Sequence, residues 1–134
     1  MDRHGLSCII FLAVFALDVN EAFIIYQNAE RLKIELINLS KYIHALMSFK
    51  GSEKPGAKRM LMLMTDMIIV DLKTIFSLTN EEGFERASGL LEQVNSEIDE
   101  MKLGPASETV ASAISEVTTP AAGAWEPLHK MGLL

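Results

Sequence analysis

Between Ala22 and Leu46 the apolar residues Ala22, Ile25, Ala29, Leu32, Leu36, Leu39, Ile43 and Leu46 recur at steps of three and four. That is the spacing of one helix face, and it predicts a helix from about Asn20 to Phe49, with Gln27, Glu30, Arg31, Asn38 and Lys41 turned to solvent. Leaving this seam in water would forfeit about 1.5–3 kcal/mol for each large side chain, so other helices or another chain must cover it. Phe23, Ile24, Ile34 and Ile37 fall off the seam, which predicts contact with two neighbours. Arg31 and Glu35 stand four apart and are placed to pair.

The pattern breaks from Lys50 to Lys58, where Gly51, Ser52, Pro55 and Gly56 interrupt it and Lys50, Lys54, Lys58 and Arg59 make a basic corner, and a loop is expected there. A second helix, from about Ala57 to Leu78, is apolar nearly all round. Leu61, Met64, Ile68, Leu72 and Ile75 occupy one side, Met60, Met67, Ile69 and Phe76 flank them, and Arg59, Asp66, Lys73 and Ser77 are its only wet stripe. A helix of that kind is expected at the centre of its fold. Flexible thioethers suit either irregular core gaps or an adaptable apolar site. Met60, Met64 and Met67, with Asp71 beside them, are therefore the candidate lining of a small-molecule site between the first two helices. Asp71 has Met67, Ile68, Thr74 and Ile75 as its neighbours one turn away. It is expected either to be partly buried, with its pKa raised by desolvation, or to be paired across the edge of the apolar face.

Thr79 and Glu82 stand at capping-box spacing and open a third helix, whose seam is Phe84, Ala87, Leu91, Val94, Ile98 and Met101. Its outer face carries Glu85, Glu92, Asp99 and Glu100. From Glu81 to Glu116 nine acidic residues face only Arg86 and Lys102, which argues against nucleic-acid binding. Glu85, Glu92 and Asp99 are candidate contacts for a basic partner. Gly104 and Pro105 are expected to stop this helix. Ser107 then caps a short one, Glu108 to Val117, with Val110, Ala113, Ile114 and Val117 as its stripe. Residues 119–134 show no periodicity and are read as an irregular tail, in which Trp125 and Leu128 either tuck onto the core or anchor a partner.

Ahead of the first helix, residues 6–17 carry no charge and follow Arg3 and His4. Twelve such residues suit a secretory leader better than a membrane span, which needs about 20. Residues 1–17 are accordingly expected to be a signal peptide or, alternatively, a buried N-terminal helix, and residues 18–118 a helical bundle. Cys8 is the only cysteine, so the bundle contains no internal disulfide. Asn38-Leu39-Ser40 is a glycosylation sequon, set in mid-helix rather than in a loop.

Catalytic and metal chemistry have no visible apparatus. His4, His44 and His129 lie in three separate regions, no paired histidines or cysteine cluster offers zinc ligands, and no phosphate loop or nucleophile elbow occurs. A helical histidine three residues before Lys-Gly-Ser would resemble a histidine phosphotransfer site. Six residues separate His44 from Lys50, which puts the lysine off the histidine's face, and the chain is not assigned to that family. The expectation is an all-α antiparallel bundle of three long helices plus one short one, with no cofactor. Its function is read as that of a secreted, non-enzymatic interaction protein that meets a protein partner through the acidic third helix or the apolar tail. The alternatives are a carrier of a small apolar ligand and an intracellular bundle that self-associates.

Overall fold

In the computed structural model the chain forms four helices in order, α1 (Arg3–Leu46), α2 (Glu53–Thr79), α3 (Glu82–Asp99) and α4 (Leu103–Lys130). The structure describes residues 3–134, with side chains from residue 19 onward. Of the leader expected at residues 1–17, residues 3–17 belong to the α1 backbone, and residues 1–2 and the side chains of 3–17 lie outside what is described. Turns of a few residues join the helices, so successive helices run antiparallel. Contacts link α1 to α2, α2 to α3 and α3 to α4, and the ring closes with α1 on α4. This is an up-down-up-down four-helix bundle in which every helix occupies a corner. No strand occurs among the described residues.

All eight residues of the predicted α1 seam are buried, none more than 7% exposed. Phe84, Ala87, Leu91, Val94 and Ile98 of α3 are fully buried opposite it. The α1–α4 seam is the most extensive and the α1–α2 seam the thinnest. Small side chains explain the first: Ala106, Ala113, Ala121 and Ala124 of α4 and Ala22 and Ala29 of α1 are all buried, and alanine lets helix axes approach closely.

The ends of the helices differ from expectation in ways that local chemistry explains. Pro55 and Gly56 lie in the first turn of α2, and Gly104 and Pro105 in the first turn of α4. A proline there loses no hydrogen bond, because the first N–H groups of a helix have no intrahelical partner. The stop of α3 is made instead by Met101, at φ 60°. Around it the Lys102 N–H donates to Glu97 O at 2.7 Å and the Met101 N–H to Ile98 O at 2.9 Å, the paired closure of a Schellman motif. The capping box at Thr79 is not formed. Thr79 Oγ1 donates to Ile75 O at 2.8 Å and accepts the Glu81 N–H at 3.3 Å, while Asn80, at φ 57°, ends α2.

The largest correction is α4. The expected short helix with an irregular tail at 119–134 is one helix of 28 residues running through Pro120 and Pro127. The seam continues past the first proline, with Pro120, Ala121, Ala124 and Leu128 all buried. That burial offsets the roughly 3 kcal/mol that an interior proline costs a helix. Just ahead of that proline, Thr118 and Thr119 donate back to Ile114 O and Ser115 O.

Candidate functional site

α2 carries two seams on different sides. Leu61, Thr65, Ile68, Leu72, Ile75 and Thr79 face the core, and the two threonines satisfy their hydroxyls on Leu61 O and Ile75 O, so they are buried without cost in lost hydrogen bonds. On the opposite side Met60, Leu63, Met67, Val70 and Leu78 are 56–70% exposed. Thr74, also exposed, continues their line. The expectation that α2 sits at the centre is therefore wrong. A ring of four helices has no centre, and the side of α2 away from the core faces solvent although it is apolar.

Charged residues border this stripe and do not interrupt it. Toward α3, Asp66 Oδ1 accepts a 2.6 Å bond from Asn95 Nδ2, and Lys73 Nζ lies 3.0 Å from Glu92. Toward α1, Asp71 Oδ2 accepts a 2.8 Å bond from Arg31 Nη1. The same guanidinium reaches Glu35 at 3.0 Å, as the spacing predicted. The hydrogen bond it donates to Asp71 chiefly, with the charges of Asp71 and Glu35, holds the Arg31 pKa above its ordinary value against the opposing effect of burial. Asp71 follows the second alternative: its side chain, 42% exposed, is paired across the α1–α2 edge.

Where α1 and α2 meet, a groove of about 510 Å³ opens to solvent, lined by Asn38, Leu39 and Tyr42 from α1 and by Met64, Met67 and Asp71 from α2. A second, of about 340 Å³, follows it toward the α1–α2 turn, shares Tyr42 and Met64 and adds Met60 and Phe49. The methionines and Asp71 singled out in the sequence thus do come together along one edge. Met60 and Met67 point outward from it, each at least 60% exposed. Sequence reasoning missed Leu63, Val70 and Leu78, which the alternation of steps of three and four from Met60 to Thr74 could have revealed. It also missed Tyr42 as a wall of the groove and Arg31 as the partner of Asp71.

The other candidates fare unevenly. Glu92 and Asp99 are engaged by lysines of α2, Lys73 and Lys58, at 3.0 Å each, and Glu85 remains on the exposed side of α3. Leu128 is fully buried and is no anchor for a partner. Trp125 is 41% exposed and stacks on His129 with ring centroids 4.3 Å apart. His44 Nδ1 lies 2.8 Å from Ser40 O on its own helix, and Asn38 of the sequon sits within α1. No group of three or more histidine, cysteine, aspartate or glutamate side chains is placed to hold a metal ion among the described residues, and none of their helices is long and apolar enough to cross a membrane. Comparison of the chain with protein-family models, curated proteins and solved structures gives no match, so the geometry alone carries the functional argument.

Proposed function

We propose that the protein is a small, secreted, non-enzymatic helical interaction protein that binds a protein partner through the outer face of α2 and the groove beside it. The observation that carries this reading is the stripe from Met60 to Leu78: five large apolar side chains, each more than half exposed, with every charge displaced to the rim. Contiguous apolar surface bordered by polar groups marks interaction sites on soluble proteins, and methionine-rich faces adapt to their partners. The acidic side of α3 is the weaker surface, because Lys58 and Lys73 already neutralise two of its carboxylates. Export rests on the uncharged run at residues 6–17.

The test is affinity capture from the native medium with the wild-type chain, with M67E and, in parallel, with E85K. Docking on α2 predicts that specifically bound protein disappears with M67E and persists with E85K. The opposite pattern would return the site to α3 and refute the proposal. Mass spectrometry of the native N-terminus tests export, and soluble protein still beginning at Met1 or Asp2 would end that part of it.

The groove between α1 and α2 favours one second reading, a carrier of a small apolar ligand. Its volume lies within the range of ligand sites, but such sites bury most of their ligand, and this one is open along its length with Met67 and Val70 on its outer lip.

A further inference from the structure

We propose that the occupant of the outer face of α2 is the same face of a second copy of this chain, the two α2 helices lying antiparallel across a two-fold axis. The inference rests on the docking reading above and names its partner.

Three observations on α2 lead to it. The first is spacing. Met60, Leu63, Met67, Val70, Thr74 and Ser77 follow one another at steps of three, four, three, four and three, the seam that two helices share when they pack side by side. A two-fold axis presents the same patch on both partners, so the patch must complement itself, and a heptad seam does so along its whole length of about 27 Å.

The second is charge. In that heptad register Asp66 and Lys73 occupy equivalent positions on one flank of the seam, and Asp71 lies on the other. With the helices antiparallel and centred between Met67 and Val70, Asp66 of each copy stands beside Lys73 of the other, giving two attractive pairs. With the helices parallel, Asp66 of each copy stands beside Asp71 of the other, giving two repulsive pairs. Flanking charges of this kind set partner and orientation in paired helices.

The third is area. Five large apolar side chains per copy, each 56–70% exposed, give two facing stripes on the order of 1,000 Å² of removable surface, near the lower bound of specific interfaces. A reversible dimer follows.

Sedimentation velocity of the full chain, over a concentration series of about 1–100 µM suited to an interface of that size, tests it directly. The wild type should pass from monomer to dimer mass. M67E should weaken the dimer about 100-fold, as for a central anchor. D66K sets two cations against Lys73 and should weaken it about tenfold, and D66K/K73D should restore it, because the two signs are merely exchanged. Circular dichroism checks each variant's fold. Should D66K unfold through loss of the Asn95 bond, K73E, which sets a carboxylate beside Asp66, serves in its place. Strengthening by D66K would show a parallel pair and overturn the arrangement. A wild type that stays monomeric throughout would overturn the second copy as occupant; the docking reading would survive if M67E still abolished capture of another protein, and would fall with it if M67E changed nothing.

Discussion

Gly83 and Gly89 both lie in α3, and alanine should act in opposite senses at the two. At Gly83 a β-carbon would press on the main-chain oxygen of Glu116 and come within 2.9 Å of Pro120 Cγ and 3.1 Å of Pro120 Cδ. Carbon atoms in good contact stand about 3.5–4.0 Å apart. None of these atoms belongs to a flexible chain end: one is backbone of α4 and the others are a proline ring. The close approach has a cause in the sequence. Pro120 has no N–H, so the Glu116 carbonyl lacks the partner four residues on that would otherwise occupy it, and the start of α3 packs against it. Arg86 Nε, bonded to Glu116 Oε2 at 2.7 Å, closes the same junction from outside.

Overpacking against atoms of that kind costs about 1–3 kcal/mol. The gain in helix propensity and in unfolded-state entropy is at most about 1 kcal/mol. G83A should therefore lose about 1–2 kcal/mol. Gly89 is exposed and a β-carbon there meets nothing within 4 Å, so G89A keeps the gain alone and should be more stable than wild type by about 0.5–1 kcal/mol. Urea denaturation followed by circular dichroism, with thermal melts alongside, separates the two. The melting temperature should fall by roughly 3–6 °C for G83A and rise for G89A. If G83A proves as stable as G89A, α3 and α4 do not meet as described and the path of α4 through Pro120 is wrong.

Four further outcomes follow from the same structure. Leu72→Ala, at a fully buried position, should cost about 2–5 kcal/mol, whereas Met67→Ala on the same helix should change monomer stability by no more than about 0.5 kcal/mol; chemical denaturation of both at low protein concentration decides. Asp71→Asn breaks the Arg31 pair between half-exposed groups and should cost about 0.2–1 kcal/mol, shrinking as salt is added. Because the Arg31 pKa is raised, the contribution of the guanidinium is complete below its ordinary, strongly alkaline value and is lost only as pH rises through the raised one, so stability measured from neutral to mildly alkaline pH should show no step from this group. Long-chain fatty acids should leave the melting temperature unmoved; a saturable shift, equivalent to about 2.7 kcal/mol at 100 times the dissociation constant, would make the α1–α2 groove a carrier site.

Much of the fold was legible because burial here is written in helical periodicity. The seams of α1 and α3 can be read residue by residue, from Ala22 to Leu46 and from Phe84 to Ile98, and each of those residues is buried. Proline and glycine were misleading because their effect depends on where the helix starts. Pro55 and Pro105 sit in first turns, where they are harmless, and Pro120 sits in an interior where the continued burial of Ala121, Ala124 and Leu128 overrides its local cost. Those small residues carry a weak hydrophobic signal one by one. They hold α4 together only because α1 and α3 are there to receive them, which is a tertiary fact that no window of sequence displays.

The misplacement of α2 has a different origin and bears on function. Apolar residues all round a helix say that both sides avoid water, and the step from there to a central position assumes that this one chain supplies every neighbour. Four helices joined by short turns close into a ring, so α2 is covered by α1 and α3 and turns its remaining side outward. The residues left uncovered are ordered: they keep a regular seam, and Asp66, Asp71 and Lys73 stand along its borders rather than within it. An unselected surface has no reason to confine its charges to two flanks, whereas a surface that packs against another helix must do so to keep them solvated. The reading of α2 as a helix with neighbours on every side fails for one chain, and the proposed pairing of two copies is the arrangement in which it would hold.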